Sequence, residues 1–109
     1  HVKNEYGWKN YVDCDDGYLY TSPVGKFKPN AFGLYDMMGN ARQVVAGCLT
    51  DSIADLPKDG SANEDCSQHP LRGSSWESLA GQVMRVACRE WISSEYAHLA
   101  YGFRVALSQ

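Results

Sequence analysis

The sequence predicts an irregular α+β fold in which a few short strands support many loops. Regular helical periodicity is scarce along the 109 residues. Apolar and β-branched residues instead occur in brief runs separated by Gly, Pro, Asn, Asp and Ser, a pattern typical of short strands joined by turns. We therefore expect a small, mainly β scaffold with most of the chain in ordered loops.

The individual elements follow from these runs. Residues 37–48 are interrupted early by Gly39 and Asn40 and closed by Gly47, so we expect a short helix or a turn there. Residues 50–68 are rich in Asp, Ser, Gly, Pro and Asn, which predicts a long ordered loop. Such a loop is uncommon in a compact domain unless it is functional or cross-linked. The predicted strands are residues 19–24, 71–76, 83–88 and 103–107.

Composition and charge exclude several classes of function. Hydrophobic residues make up 44% of the chain and charged residues 21%, as in ordinary globular proteins. The formal net charge is −3 and no basic run is present, which argues against a nucleic-acid-binding surface. No apolar stretch reaches the roughly 18–20 residues that span a bilayer, so no membrane span is expected.

The four cysteines, Cys14, Cys48, Cys66 and Cys88, contain no C-x-x-C spacing. Zinc ribbons and thioredoxin-like redox motifs are therefore disfavoured. Disulfides are the favoured interpretation, and they imply an extracytoplasmic location, whether periplasmic, cell-surface or secreted. Four buried free thiols in a cytosolic protein are the alternative.

Three sequence blocks, in order, carry a family resemblance. The first is DDGYLYTSPVG at residues 15–25, and the second is PNAFGLYDMMGN at residues 29–40. The third begins with LRGSSW at residues 71–76 and ends with GFRVA at residues 102–106. Their order and spacing resemble the landmarks of the formylglycine-generating enzyme (sulfatase-modifying factor) domain family.

This resemblance implies an elaborated C-type-lectin-like fold with short twisted strands and many loops. Domains of the family are more than twice as long, so residues 1–109 are expected to form the C-terminal part of one such domain. The implied partner is the N-terminal half of the same domain or a companion chain that supplies it. In the family, arginines at the positions of Arg72, Arg85, Arg89 and Arg104 recur, and we expect them to be structural, because a guanidinium offers five hydrogen-bond donors.

The chain departs from the family pattern where catalysis would occur. Catalytic members bind copper(I) through two cysteines, whose positions correspond here to Ser78 and Val83. Soft thiolates suit copper(I), whereas hydroxyl and aliphatic groups do not. The motif GN-x-WEW has also become residues 39–44, with Arg42 in place of the first tryptophan and Gln43 in place of the glutamate. We therefore expect neither copper binding nor formylglycine synthesis.

The resemblance also implies two calcium sites. One maps onto Asp16 and the Tyr18 carbonyl, with Asn4 and Glu5 as less certainly aligned ligands. The other maps onto Asp36, Gly39, Ala41 and Gln43, and it should be weakened because Gln43 keeps an oxygen but lacks the charge. The alternative is that the aspartates cap turns in solvent.

The segment from Glu77 to Tyr101 is the candidate ligand-binding surface. It mixes aromatic and small polar residues, which supply recognition surface at low entropic cost, and it resembles the stretch varied in receptors diversified by retroelements. The candidate contacts are Glu77, Ser78, Gln82, Glu90, Trp91, Tyr96, His98 and Tyr101. The leading hypothesis is a non-catalytic domain that binds an unidentified protein or small ligand. The alternatives are an oxidase acting on sulfatase cysteines, and a subunit completed by another chain.

The resemblance implies one disulfide. Many family sequences place cysteines at both ends of the long polar loop, where this chain has Cys48 and Cys66. Nothing in the sequence brings Cys14 and Cys88 together, so their partners stay open.

Overall fold

The computed structural model describes residues 14–63, 65–78 and 84–107. Within these ranges the regular structure is four short strands and one 3₁₀ helix at Ile53–Asp55, with no α-helix. The strands are β1 (Arg42–Val44), β2 (Gln68–Arg72), β3 (Glu90–Ser93) and β4 (Tyr101–Phe103). The expected loop-rich β scaffold is thus present, whereas the helical part of the α+β expectation is not found in the described residues. Nor does any helix among these residues have the length and apolarity to cross a membrane.

The four strands form one mixed sheet in the order β3-β2-β1-β4. β2 pairs antiparallel with both β1 and β3. β1 also pairs with β4, in parallel, with Gln43 opposite Gly102. The pairing of β1 with β4 therefore joins residues about sixty positions apart in sequence.

The sequence misplaced β1. Residues 37–48 form neither a helix nor a simple turn, because Arg42–Val44 is a strand with hydrogen-bonding neighbours on both edges. A helix could not begin earlier, since Asp36 (φ 53°) and Asn40 (φ 59°) adopt left-handed backbone conformations. Tertiary pairing therefore decides the conformation of this segment.

Two predicted strands are absent because side chains replace strand partners. Near residues 19–24, the Ser22 amide donates to Asn40 Oδ1 at 3.1 Å, and Asn40 Nδ2 donates to the Ser22 carbonyl at 3.1 Å. In the described part of residues 83–88, the carbonyls of Val86 and Cys88 accept hydrogen bonds from the Arg72 guanidinium at 3.0 and 2.9 Å. Val83 lies outside the described residues.

The other two predicted strands are shifted, and β3, like β1, was not predicted. β2 ends at Arg72 instead of continuing to residue 76, because Gly73 has a φ of 75°. β4 begins at Tyr101 and ends at Phe103, instead of running to residue 107. β3 at Glu90–Ser93 has only one buried residue, Ile92, and so carries no strong alternating pattern.

The core is small and lies on one face of the sheet. Paired residues in neighbouring strands share a face, so Val44, Leu71 and Ile92 lie together with Glu90. Leu71 and Ile92 are buried there, and Ala100 just before β4 is also buried. Many large apolar side chains outside this cluster are exposed, among them Val24, Phe32, Phe103, Val105 and Leu107.

A disulfide closes the long polar loop. Cys48 and Cys66 are joined, as the resemblance implied, and the Leu49 amide donates to the Gln68 carbonyl at 3.0 Å beside them. In the chain-entropy model, closing a loop of this length stabilises the folded state by about 3 kcal/mol. The predicted loop is confirmed, with one 3₁₀ turn within it. Cys14 and Cys88 carry free thiols.

Gly73 and Gly60 provide a matched pair for testing the turn after β2. Both have a φ of 75°, but a Cβ on Gly73 would lie 2.9 Å from the Met37 carbonyl oxygen, whereas a Cβ on Gly60 would meet nothing within 4 Å. We expect Gly60→Ala to lower the free energy of unfolding by about 1–2 kcal/mol through its left-handed backbone alone. Gly73→Ala should cost measurably more, because backbone must also move. Urea denaturation of both variants measures the difference; equal losses would contradict the close approach.

Candidate functional site

A loop at residues 35–40 leads into β1 and is held by its own polar groups. The Asp36 carboxylate accepts a hydrogen bond from the Gly25 amide at 2.8 Å. The Asp36 carbonyl accepts one from Gln43 Nε2 at 2.9 Å, and the Gly39 amide donates to Ser74 Oγ at 2.8 Å. These contacts place the loop against the start of the sheet.

Arg104 reaches the same loop from beyond β4. Its Nε donates to Gln43 Oε1 at 2.9 Å, and one terminal nitrogen donates to the carbonyls of Tyr35 and Asp36 at 2.8 and 3.3 Å. The parallel register puts Gly102 beside Gln43, and Arg104 is two residues further along, hence on the same face.

An open cleft of about 480 Å³ adjoins this cluster. Polar groups of Asp36, Gln43 and Arg104 line one part of it, and the apolar side chains of Val24 and Phe103 line another. Gln43 is buried, with 8% of its surface exposed. One part of the cleft is therefore lined by hydrogen-bonded polar side chains, and another part is lined by apolar side chains.

The structure brings the second set of candidate calcium ligands into one short region, but two of its side chains are engaged. The Asp36 carboxylate is bonded to the Gly25 amide, and the single oxygen of the Gln43 side chain is bonded to Arg104. Gly39 and Ala41 lie between them in the same loop. In residues 14–63, 65–78 and 84–107, no group of three or more His, Cys, Asp or Glu side chains is placed to hold a metal ion.

The first set of candidate calcium ligands is described only in part. Asp16 Oδ1 accepts a hydrogen bond from the Tyr18 amide at 3.0 Å, and Asp15 Oδ1 accepts one from the Gly17 amide at 2.9 Å. Both carboxylates thus cap local turns, and both residues are exposed. Asn4 and Glu5 lie outside the described residues.

Ser78 belongs to a polar network on the core face of the sheet. Its hydroxyl accepts a hydrogen bond from the Ser75 amide at 2.9 Å and lies 3.4 Å from a terminal nitrogen of Arg42. The other terminal nitrogen of Arg42 pairs with the Glu90 carboxylate. The Arg42 side chain is only 14% exposed, so this ion pair is largely shielded from water. Three polar side chains and one backbone amide, from three separate segments, therefore meet here.

An aromatic group, which we call the Tyr96 patch, adjoins that network and consists of Glu77, Tyr96, His98 and Tyr101. The His98 ring lies 6.3 Å from the Tyr96 ring, nearly parallel to it, and 4.8 Å from the Tyr101 ring. His98 Nδ1 accepts the Ala100 amide at 3.3 Å and is 3.7 Å from the Glu77 carboxylate. Tyr96 is 58% exposed, so the aromatic surface of the patch is accessible to solvent.

The candidate ligand-binding residues do not form one continuous surface. Glu90 is in register with Leu71 and lies on the core face, whereas the adjacent Trp91 points to the opposite face of the sheet and is exposed. Gln82 lies outside the described residues. The structure thus gathers Glu77, Ser78, Glu90, Tyr96, His98 and Tyr101 on one side and separates Trp91 from them.

Two residues of the site were missed as site residues by sequence reasoning. Arg42 was noted only as a replaced tryptophan, and its pairing with Glu90, forty-eight positions away, has no local signal. Arg104 was expected to be structural, which it is, but its contact with Gln43 depends on the β1–β4 pairing. The only signal in the sequence was that residues 42–44 all differ from the family motif GN-x-WEW.

Comparison with known proteins identifies the chain's relatives. The model of the Sulfatase-modifying factor enzyme 1-like domain (FGE-sulfatase) family matches residues 1–109. A mouse (Mus musculus) protein named inactive C-alpha-formylglycine-generating enzyme 2 is 32% identical over 100 residues, covering 87% of this chain and 29% of the mouse protein.

Two solved structures have a similar fold. PvdO from Pseudomonas aeruginosa is 39% identical with a TM-score of 0.70, over 86% of this chain and 36% of PvdO. Treponema denticola variable protein 1 is 32% identical with a TM-score of 0.66, over 78% of this chain and 31% of that protein. The chain spans about a third of the length of these relatives. With a family match over its whole length, this chain belongs to the sulfatase-modifying factor (FGE-sulfatase) domain family.

Proposed function

We propose that this chain is part of a non-catalytic member of the family, which binds a protein or small ligand through the surface around the Tyr96 patch. The observation that carries the proposal is the state of Ser78, at the position of a copper-binding cysteine. Its hydroxyl accepts the Ser75 amide and lies beside the cationic guanidinium of Arg42. A hydroxyl is a poor ligand for copper(I), and a neighbouring positive charge disfavours a second cation.

The name of one relative supports a non-catalytic function. The mouse relative is named an inactive enzyme, and the chain covers 87% of its own length in that match. Arg42, which stands where the family motif has tryptophan, pairs with Glu90 and reaches Ser78. Ser78, Arg42 and Glu90 therefore contact one another at the position where the family pattern has a copper ligand. An active oxidase is the opposing function, and it would need a thiolate pair supplied in some other way.

Binding is supported by exposed aromatic surface. Tyr96 and Trp91 are 58% and 56% exposed, and aromatic side chains that combine an apolar body with a polar edge are common anchors in interfaces. The two lie on different sides of the sheet, so we assign the ligand contact to the Tyr96 patch, where Glu77, His98 and Tyr101 add polar and aromatic groups. Trp91 is the control position for this assignment.

A second role, as one part of a larger assembly, is supported by exposed apolar side chains. Strand β4 is at the edge of the sheet, and Phe103, Val105 and Leu107 along and beyond it are 79%, 87% and 92% exposed. An exposed apolar edge favours pairing with further polypeptide. We propose that the remainder of the family domain, in the same or a companion chain, covers this edge. The proposed location is outside the cytoplasm, and the Cys48–Cys66 disulfide supports it because disulfides persist in oxidising compartments.

Calcium is proposed for the Asp16 site. Asp16 Oδ2 is not used by the turn that Asp16 Oδ1 caps, and the Tyr18 carbonyl is two residues away. Hard cations prefer such carboxylate and carbonyl oxygens, with six to eight ligands in total. Asn4 and Glu5 would supply part of that set.

The first prediction tests the missing oxidase chemistry. Because Ser78 and Val83 replace the two thiols, we expect no tight copper(I) binding and no modification of a cysteine-containing sulfatase peptide. Copper titration and mass spectrometry of the peptide measure this in the intact protein. Stoichiometric thiolate-bound copper that is lost in Cys88→Ser would overturn the non-catalytic proposal.

The second prediction tests the binding surface with a random peptide display library as the probe. Peptides enriched on the intact protein should lose at least about tenfold in affinity with Tyr96→Ala, as expected for a central aromatic anchor. Trp91→Ala, on the other face, and Ile53→Ala, an exposed apolar residue of the long loop, should leave affinity unchanged. Enriched peptides that respond to Trp91→Ala and ignore Tyr96→Ala would place the surface elsewhere.

The third prediction tests calcium at the Asp16 site. Calcium at 100 times its dissociation constant should raise the free energy of unfolding by about 2.7 kcal/mol, or the melting temperature by roughly ten degrees. Asp16→Asn should reduce this shift because an anionic ligand becomes a neutral amide, whereas Asp51→Asn in the long loop should not. Melting curves of the intact protein with calcium and with chelator provide the measurement. Indifference to both would leave Asp15 and Asp16 as turn-capping residues only.

A further inference from the structure

The buried side chain of Gln43 contacts both the loop at residues 35–40 and the residues after β4. Its position on β1 is fixed by strand pairing with Arg72 on one side and Gly102 on the other. Both ends of its amide are used: Nε2 donates to the Asp36 carbonyl and Oε1 accepts from Arg104 Nε, each at 2.9 Å.

The orientation of this amide follows from the chemistry of its two partners. A carbonyl can only accept a hydrogen bond, so the group facing Asp36 must be the NH₂ of Gln43. A guanidinium can only donate, so the group facing Arg104 must be the oxygen. Rotating the amide by half a turn would set donor against donor and acceptor against acceptor. The single side-chain oxygen of Gln43 therefore faces Arg104, and the atom that faces the Asp36 carbonyl is a donor, which cannot bind a cation.

A glutamate at this position would behave differently. Its two carboxylate oxygens could serve Arg104 and a cation together, and the oxygen facing the Asp36 carbonyl would need a cation between them. In Gln43 the amide NH₂ donates directly to the Asp36 carbonyl, so no cation is needed between them. The residues present thus do not fit the calcium site that the family pattern implies at Asp36, Gly39, Ala41 and Gln43, although they retain Arg104, which belongs to the same pattern.

We infer that Gln43 replaces calcium at this position with a metal-free hydrogen-bond bridge, so that the loop at residues 35–40 is held against the sheet without calcium. The inference goes beyond the proposed ligand binding, because it concerns the ionic conditions under which this loop and its adjoining cleft keep their shape. The bridge consists of the Asp36 carbonyl, the Gln43 amide and the Arg104 guanidinium, with the Tyr35 carbonyl as a further acceptor.

The test is a gain of calcium binding by one substitution, made in the intact protein with Asp16→Asn present to weaken the other proposed site. Without further change, this background should show at most the weakened calcium heat and melting-temperature shift of the Asp16 site, and Asp36→Gly should alter neither. Adding Gln43→Glu should produce binding of one calcium ion and a melting temperature that rises with calcium. Adding Asp36→Gly as well should remove both, since glycine tolerates the left-handed φ of 53° but has no side-chain oxygen.

Two results would overturn the inference. One is calcium binding by the Asp16→Asn background that Asp36→Gly abolishes, because Gln43 would then be a working ligand. The other is a folded Gln43→Glu variant that gains no calcium binding, because the amide would then not be what excludes the ion. If Gln43→Glu does not fold in calcium, the inference is tested by calcium binding alone, measured for the Asp16→Asn background with and without Asp36→Gly.

Discussion

The contact between Arg104 and Gln43 joins the loop at residues 35–40 to β1 and to the residues beyond β4. One guanidinium bonds a side chain of β1 and two carbonyls of the loop at residues 35–40, from a position just beyond β4. Because β1 and β4 are only three residues long each, their pairing provides few backbone hydrogen bonds. The charge-assisted hydrogen bonds of Arg104 add to this pairing at the place where the cleft forms. The loop, the cleft and the parallel strand pair therefore all depend on the guanidinium of Arg104.

Side chains perform a similar role elsewhere in this loop-rich chain. Arg72 bonds the carbonyls of Val86 and Cys88, and Arg89 bonds the carbonyl and hydroxyl of Thr50. Asn40 pairs with both backbone groups of Ser22. Backbone groups in irregular segments cannot obtain hydrogen-bond partners from a helix or from strand pairing. Arginine and asparagine supply those partners here, which explains how so little regular structure and so small a core accompany a defined arrangement of loops.

Features that follow from local composition were easier to predict from the sequence than features that depend on strand pairing. The long loop ending at Cys48 and Cys66 was predictable because turn-forming residues fill it, and the disulfide was predictable from the family resemblance. Strand β1 was not, because its conformation depends on partners at residues 71–72 and 101–103. In the site, the residue types at Ser78 and Gln43 were informative by themselves. Their partners Arg42 and Arg104 became evident only when the sheet brought distant segments together.

The changes at residues 42, 43 and 78 have a common physical consequence. Each departs from the residue type that the family pattern associates with a bound cation or its surroundings, and each side chain is engaged with partners inside the chain. Ser78 accepts from Ser75 and lies beside Arg42, Arg42 pairs with Glu90, and Gln43 bridges Asp36 and Arg104. Removing a metal from a site without such partners would leave buried polar groups unpaired, which costs about 1–3 kcal/mol per group. Residues that bond one another in place of the ligands reduce that cost, although Arg42 Nε is buried here without a hydrogen-bond partner. A domain altered in this way keeps its exposed aromatic surface available for binding, and this is why we place the function there rather than in the altered metal positions.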